Sequence, residues 1–168
     1  MRTRMMAAVF AALLSVFALS GLAFAADGLA AQMNTFEETP ATLSGHGTGV
    51  FLGLITSDQN LIPYQIFYTD LTGPAVVAHI HFGKPGETGG IAAFLCGGGN
   101  KPSCPDSGVL LQGVVTAADV QALPAQSLAA GDLAALIQAI KAGFAYVNVH
   151  TGAHPGGEIR GQLQGGSR

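Results

Sequence analysis

Residues 61–82 read LIPYQIFYT-DLTGP-AVVAHIHF, and this stretch decides the fold class. Leu61–Thr69 and Ala75–Phe82 are short runs rich in β-branched and aromatic residues, separated by Leu71-Thr72-Gly73-Pro74, which is turn chemistry. In the first run Tyr64, Ile66 and Tyr68 share one face, while Gln65, Phe67 and Thr69 share the other. Pro63 removes a ladder donor and suits a strand start or an edge. In the second run Ile80 points opposite to His79 and His81. Both runs alternate with the period of a strand, and no amphipathic helix is interposed.

The same pattern extends outward. Gly49–Thr56 (GVFLGLIT) precedes residues 61–69 across the polar connection Ser57-Asp58-Gln59-Asn60. Upstream, residues 27–44 read as a lead-in followed by a first short strand near Ala41–Leu43. Downstream come Ile91–Leu95, Gly108–Val115, Phe144–His150 and Gly157–Leu163. Seven or eight short strands with glycine and proline turns predict an all-β Greek-key sandwich or barrel. One or two short helices are expected between the late strands. Thr116 can cap the first, whose length Pro124 limits; Asp132 can cap the second, whose Leu133, Leu136, Ile137 and Ile140 recur at helical spacing. Lys141 suits the end of that helix and Gly143 its termination. The apolar stripe is read as packing over an open end or edge of the β structure.

Composition bounds the function. The chain has 168 residues, 49% hydrophobic and only 10% charged, with 24 glycines. That apolar content excludes a disordered solvating protein. Seven Lys plus Arg against ten Asp plus Glu exclude a nucleic-acid binder. Part of the apolar excess lies at the N-terminus. Arg2 and Arg4 precede the apolar run Met5–Ser20, and Ala23-Phe24-Ala25 supplies the small-x-small pattern of a signal-peptidase site. Residues 1–25 are therefore read as a signal peptide and residues 26–168 as a single β domain, periplasmic or secreted, with no membrane association once the signal is cleaved. A retained membrane anchor is the alternative.

Cys96 and Cys104 are the only cysteines and flank a Gly/Pro-rich segment. Export favours a structural disulfide between them, and seven intervening residues do not match the C-x-x-C of redox or metal pairs.

Four of the five histidines fall in two motifs. His79-Ile80-His81 places two imidazoles on one strand face, about 6.5–7 Å apart along the strand. Asn148-Val149-His150 leads through Thr151-Gly152-Ala153 to His154-Pro155-Gly156-Gly157-Glu158. The candidate site is His79, His81 and His150 with His154 as a fourth ligand, and neutral imidazoles select copper or zinc over calcium or magnesium. The plainer alternative is a polar cluster whose imidazoles bond to Asn148, Thr151 or backbone and pin the loops. His46, isolated between glycines, is read as an ordinary turn or strand residue. Glu158 and Arg160 share a strand face: they form either a surface ion pair or, if Glu158 lies under the histidines, support for an imidazole. Arg160 could instead hold Glu37 or Glu38. There is no G-x-S-x-G, no H-E-x-x-H and no phosphate-binding glycine loop, so no hydrolytic constellation is present.

With those residues in view, the chain resembles the CHRD family, the domain named after chordin. The resemblance covers nearly all of residues 26–168. It begins at Glu37-Glu38-Thr39-Pro40, with Glu37 in place of the family's usual Gln. It continues at Leu71-Thr72-Gly73-Pro74, Ala78-His79-Ile80-His81 and Pro85-Gly86. The closing stretch, Tyr146–Thr151 through Pro155–Leu163, is its most specific part. The cysteine loop and the Ala/Leu-rich stretch around 124–140 depart from the family pattern. The resemblance implies an extracellular or periplasmic β-rich module and supplies no defined activity. His-x-His on a strand is also reminiscent of copper–zinc superoxide dismutase, at the level of fold analogy alone. The expected function is a binding or structural module holding copper or zinc. A metal-free module with an unidentified protein partner is the alternative, and a dismutase-like enzyme comes after both.

Overall fold

The computed structural model describes residues 27–43 and 45–165. The expected signal segment, residues 1–25, lies outside the described residues. The described chain is all-β with one α-helix and three short 3-10 turns. Its strands are β1 (Asp27–Asn34), β2 (Thr48–Ile55), β3 (Ile62–Thr69), β4 (Ala75–Phe82), β5 (Gly90–Cys96), β6 (Leu111–Val115), β7 (Ala145–Thr151), β8 (Ile159–Gln162) and the two-residue β9 (Gln164–Gly165). The helix α1 spans Leu133–Lys141.

All pairings are antiparallel, in the order β5-β4-β7-β8-β1-β2-β3-β6, with β9 against β1. The connections β3–β4, β5–β6 and β6–β7 cross between the two halves of this sheet. The curled sheet then nearly closes on itself. Ala93 on β5 bridges Val120 beyond β6, Gln121 N–H donates to Ala92, and the Tyr64 hydroxyl on β3 donates to the Leu95 carbonyl at 2.6 Å. Inside lie Phe51, Ile66, Ile80, Val147, Val149 and Ile159, all removed from solvent.

The N-terminal expectation is corrected. The first strand is Asp27–Asn34, and Ala41–Leu43 form a loop in which Leu43 is exposed. Leu29, Ala31 and Met33 alternate inward along β1, but small, weakly strand-forming neighbours disguise the pattern. Asn34 ends the strand by accepting the N–H groups of Phe36 and Glu37. Pro63 is the second residue of β3, where pairing with β2 has already ended at Gly53–Tyr64.

The first expected helix shrinks to one 3-10 turn, Ala117–Asp119. The Asp119 carboxylate accepts the backbone N–H and hydroxyl of Thr116, and Val120 is then committed to its bridge with β5. A further 3-10 turn follows at Pro124–Gln126. The second helix forms as its spacing predicts. Asp132 accepts Ala135 N–H at 2.9 Å, and Leu133, Leu136, Ile137 and Ile140 join the core. Gly143 at φ +76° ends it: Gly143 N–H reaches the Ile140 carbonyl and Phe144 N–H the Ala139 carbonyl, a Schellman closure.

Candidate metal centre

Alternation gives β4, β7 and β8 two different faces. Ala78, Ile80, Val147, Val149 and Ile159 fill the core, so His79 and His81 on β4, Tyr146, Asn148 and His150 on β7, and Arg160 and Gln162 on β8 occupy the outer face. Register lines these side chains into rows. His81 pairs with Tyr146 and Tyr146 with Gln162; His79 pairs with Asn148 and Asn148 with Arg160; His150 pairs with Val77. β4 carries two register shifts against β5, around His79 and around His81, an irregularity of the kind that re-aims side chains.

Although it faces away from the core, this face is buried. His79, His81 and His150 are 4%, 9% and 9% exposed. The loop after β4 is strapped down by Arg160, whose guanidinium donates to the carbonyls of Glu87 at 2.8 Å and Lys84 at 3.0 Å. Gln162 holds the Gly83 carbonyl.

The three imidazoles converge. Each offers one ring nitrogen such that all three lie within 4.8 Å of one another. His79 Nδ1 stands 3.1 Å from His150 Nε2. Two nitrogens bound to one ion at ~2.0 Å would stand about 3.3–3.5 Å apart, so this pair is already at ligand spacing. Backbone carbonyls fix two of the rings. His81 Nδ1 donates to Gly89 and His150 Nδ1 to Pro155, both at 3.0 Å, which leaves each Nε2 with its lone pair directed elsewhere. This is the outer-shell orientation that metal-binding histidines receive. His81 Nε2 is buried with no hydrogen-bond partner.

Burial keeps the rings neutral, as ligands must be. Desolvation, reinforced by the repulsion a protonated His150 or His81 would exert, pushes His79 down to about 3. Desolvation pushes His81 down to about 4, and the His150 value also falls by burial. Aromatic walls complete the site. Phe94 meets His79 edge-on at 4.8 Å, and Tyr146 stacks parallel to His81 at 4.7 Å. The Arg160 guanidinium lies 3.4 Å from the Tyr146 ring centre. Phe94 and Tyr146 escape a search for ligand-type residues, although strand alternation places Tyr146 on the face of Asn148 and His150.

The other candidate residues are placed differently. His154 lies in the β7–β8 turn, where its N–H meets Thr151, and is outside the converging triad. Glu158 and Arg160 form no pair with each other. Glu158 is fully buried; one carboxylate oxygen accepts the N–H and hydroxyl of Thr72 and the other the Thr151 hydroxyl. It therefore ties the β3–β4 turn to the end of β7 instead of supporting an imidazole. Asn148 donates its amide to Glu38, leaving its own buried oxygen unpartnered. Burial pushes Glu38 up to about 7, against the opposing pull of the Thr39 N–H and the Arg160 charge. Gly157, at φ +128°, is needed here, since a Cβ would land on the Glu38 carboxylate and the Asn148 amide. Cys96 and Cys104 are bonded to each other, with Cα atoms 4.9 Å apart. His46 is exposed and outside the triad.

Among known protein families, the model described as the CHRD domain matches residues 29–163. No curated protein and no solved structure is matched by the chain. No helix among the described residues is long and apolar enough to cross a membrane.

Proposed function

Because the chain belongs to the CHRD domain family over nearly its whole length, we propose that it is an exported binding module that holds one copper or zinc ion on its histidine face. The observation that carries this reading is the convergence of His79, His81 and His150 within 4.8 Å. Two of these rings are held by backbone carbonyls with Nε2 left over. Imidazole sets of this kind suit copper and zinc. The bound ion would tie together side chains of two strands, β4 and β7, and the loops that cover them. Residues 1–25 serve as the export signal, and the disulfide is the type of bond that an oxidising compartment sustains.

A second reading has its own support. His79 Nδ1 and His150 Nε2 also satisfy each other as a hydrogen bond at 3.1 Å, so this pair needs no ion, which supports a metal-free interaction module. Titration of the purified protein with Cu(II) and Zn(II) separates the two. Stoichiometric binding that is lost in His79→Ala and His150→Ala is the expected result. Binding of neither metal above background, copper being tested as Cu(I) as well as Cu(II), would leave the metal-free module.

A further inference from the structure

Resting on the metal reading above, we infer that the triad is built to hold a soft monovalent ion, Cu(I), in three-coordination, in preference to Zn(II) or Cu(II). The donor set is the first reason. The converging group consists of three neutral imidazoles, with neither carboxylate nor thiolate among them. The two cysteines are consumed by their disulfide.

Charge is the second. The fixed cation nearest this face is Arg160, which overlies Tyr146, and Tyr146 stacks on His81. Glu38, which Arg160 also influences, is pushed up to about 7 by burial and so brings only part of a counter-charge at neutral pH. The cost of taking an ion out of water grows with the square of its charge, so a dication here costs about four times as much as a monocation.

Coordination number is the third. Zinc completes four ligands. The walls facing His79 and His81 are the Phe94 and Tyr146 rings, which offer no oxygen toward the ion. Of the oxygens on this face, the Tyr146 hydroxyl accepts Gly89 N–H and the Gly89 and Pro155 carbonyls accept the ring N–H groups, while the Asn148 oxygen, buried without a partner, belongs to a neutral amide, which is not among the usual ligands of zinc. All three imidazoles are at most 9% exposed, so a water completing the fourth position of zinc would itself have to be buried.

The test compares ions on the purified protein at neutral pH. Cu(I) is supplied anaerobically as its acetonitrile complex against bicinchoninate, and Zn(II) and Cu(II) are titrated against chromophoric chelators. One Cu(I) per chain is expected, at least ~100-fold tighter than Zn(II). X-ray absorption should show three nitrogen neighbours at ~2.0 Å. Phe94→Asp, which adds an anionic oxygen beside His79, should narrow the Cu(I)-to-Zn(II) ratio at least ~10-fold. Zn(II) or Cu(II) binding as tightly as Cu(I), or a ratio unmoved by Phe94→Asp, would overturn the Cu(I) assignment and leave the metal site standing. Failure of every ion to bind would remove both.

Discussion

At the residue scale, the histidine face is a set of side chains whose protonation is set by burial, and it gives the apo protein a defined response to pH. His79 and His81 stay neutral down to about 3 and about 4, and His150 is shifted in the same direction. Their unfolded counterparts protonate near pH 6.5. Below that value the unfolded chain binds more protons, so stability falls as pH falls from about 6.5 toward 4. Glu38 works the opposite way: its folded value is raised to about 7, so its contribution is present below pH 4.5 and lost as pH rises through 7. Three histidines outweigh one carboxyl, and the melting temperature of the metal-free protein is expected to drop between pH 6.5 and 4.5. A flat profile there would show that the rings protonate in place. Glu38→Gln isolates the opposing group. The amide imitates the protonated acid and can donate to the unpartnered Asn148 oxygen. Thermal melts should show the variant close to wild type at pH 4.5 and more stable than wild type at pH 8.

At the scale of elements, β8 acts on the loop between β4 and β5 through Gln162 and, above all, through a buried cation. Arg160 is 2% exposed, yet its hydrogen bonds go to two carbonyls of that loop, and its plane covers Tyr146. The same loop supplies the Gly89 carbonyl that orients His81. Lysine at this position would keep the charge but lose both the fork and the stacking plane. Arg160→Lys is expected to cost about 2–3 kcal/mol, as loss of a charged, buried hydrogen-bond network does. Hydrogen exchange should rise at residues 84–89 before the rest of the chain responds. Exchange raised evenly across all strands would mean that Arg160 supports the barrel and not the loop. None of this was legible from spacing. Glu158 and Arg160 at i and i+2 suggested a pair, but the sequence carries no sign that Glu158 meets Thr72 and Thr151 while Arg160 reaches across to the β4–β5 loop.

At the scale of the whole molecule, what could be read followed from periodicity, and what could not followed from long-range pairing. Alternation in residues 49–56, 61–69 and 75–82 located β2, β3 and β4, and His-x-His on β4 identified two of the converging imidazoles. The alternation of β1 is muted by alanine and glycine, and the nearness of His154 to His150 in sequence does not bring it into the converging set. Closure of the barrel is the most remote feature of all. It depends on the Tyr64–Leu95 hydrogen bond and the Ala93–Val120 bridge, which join segments distant in sequence. The Cys96–Cys104 bond sits at this closing edge, where Cys96 ends β5 opposite Ala78 of β4. Its sequence separation is 8, and by loop-closure entropy a ring of that size stabilises by roughly 2–3 kcal/mol. The Cys96→Ser/Cys104→Ser double variant should therefore lose about that much in a urea melt. It should still unfold in one transition, because β5 remains held by its ladder to β4 and by the bridge to Val120. Two separated transitions would mean that the disulfide, not the ladder, keeps the closing edge in the cooperative unit.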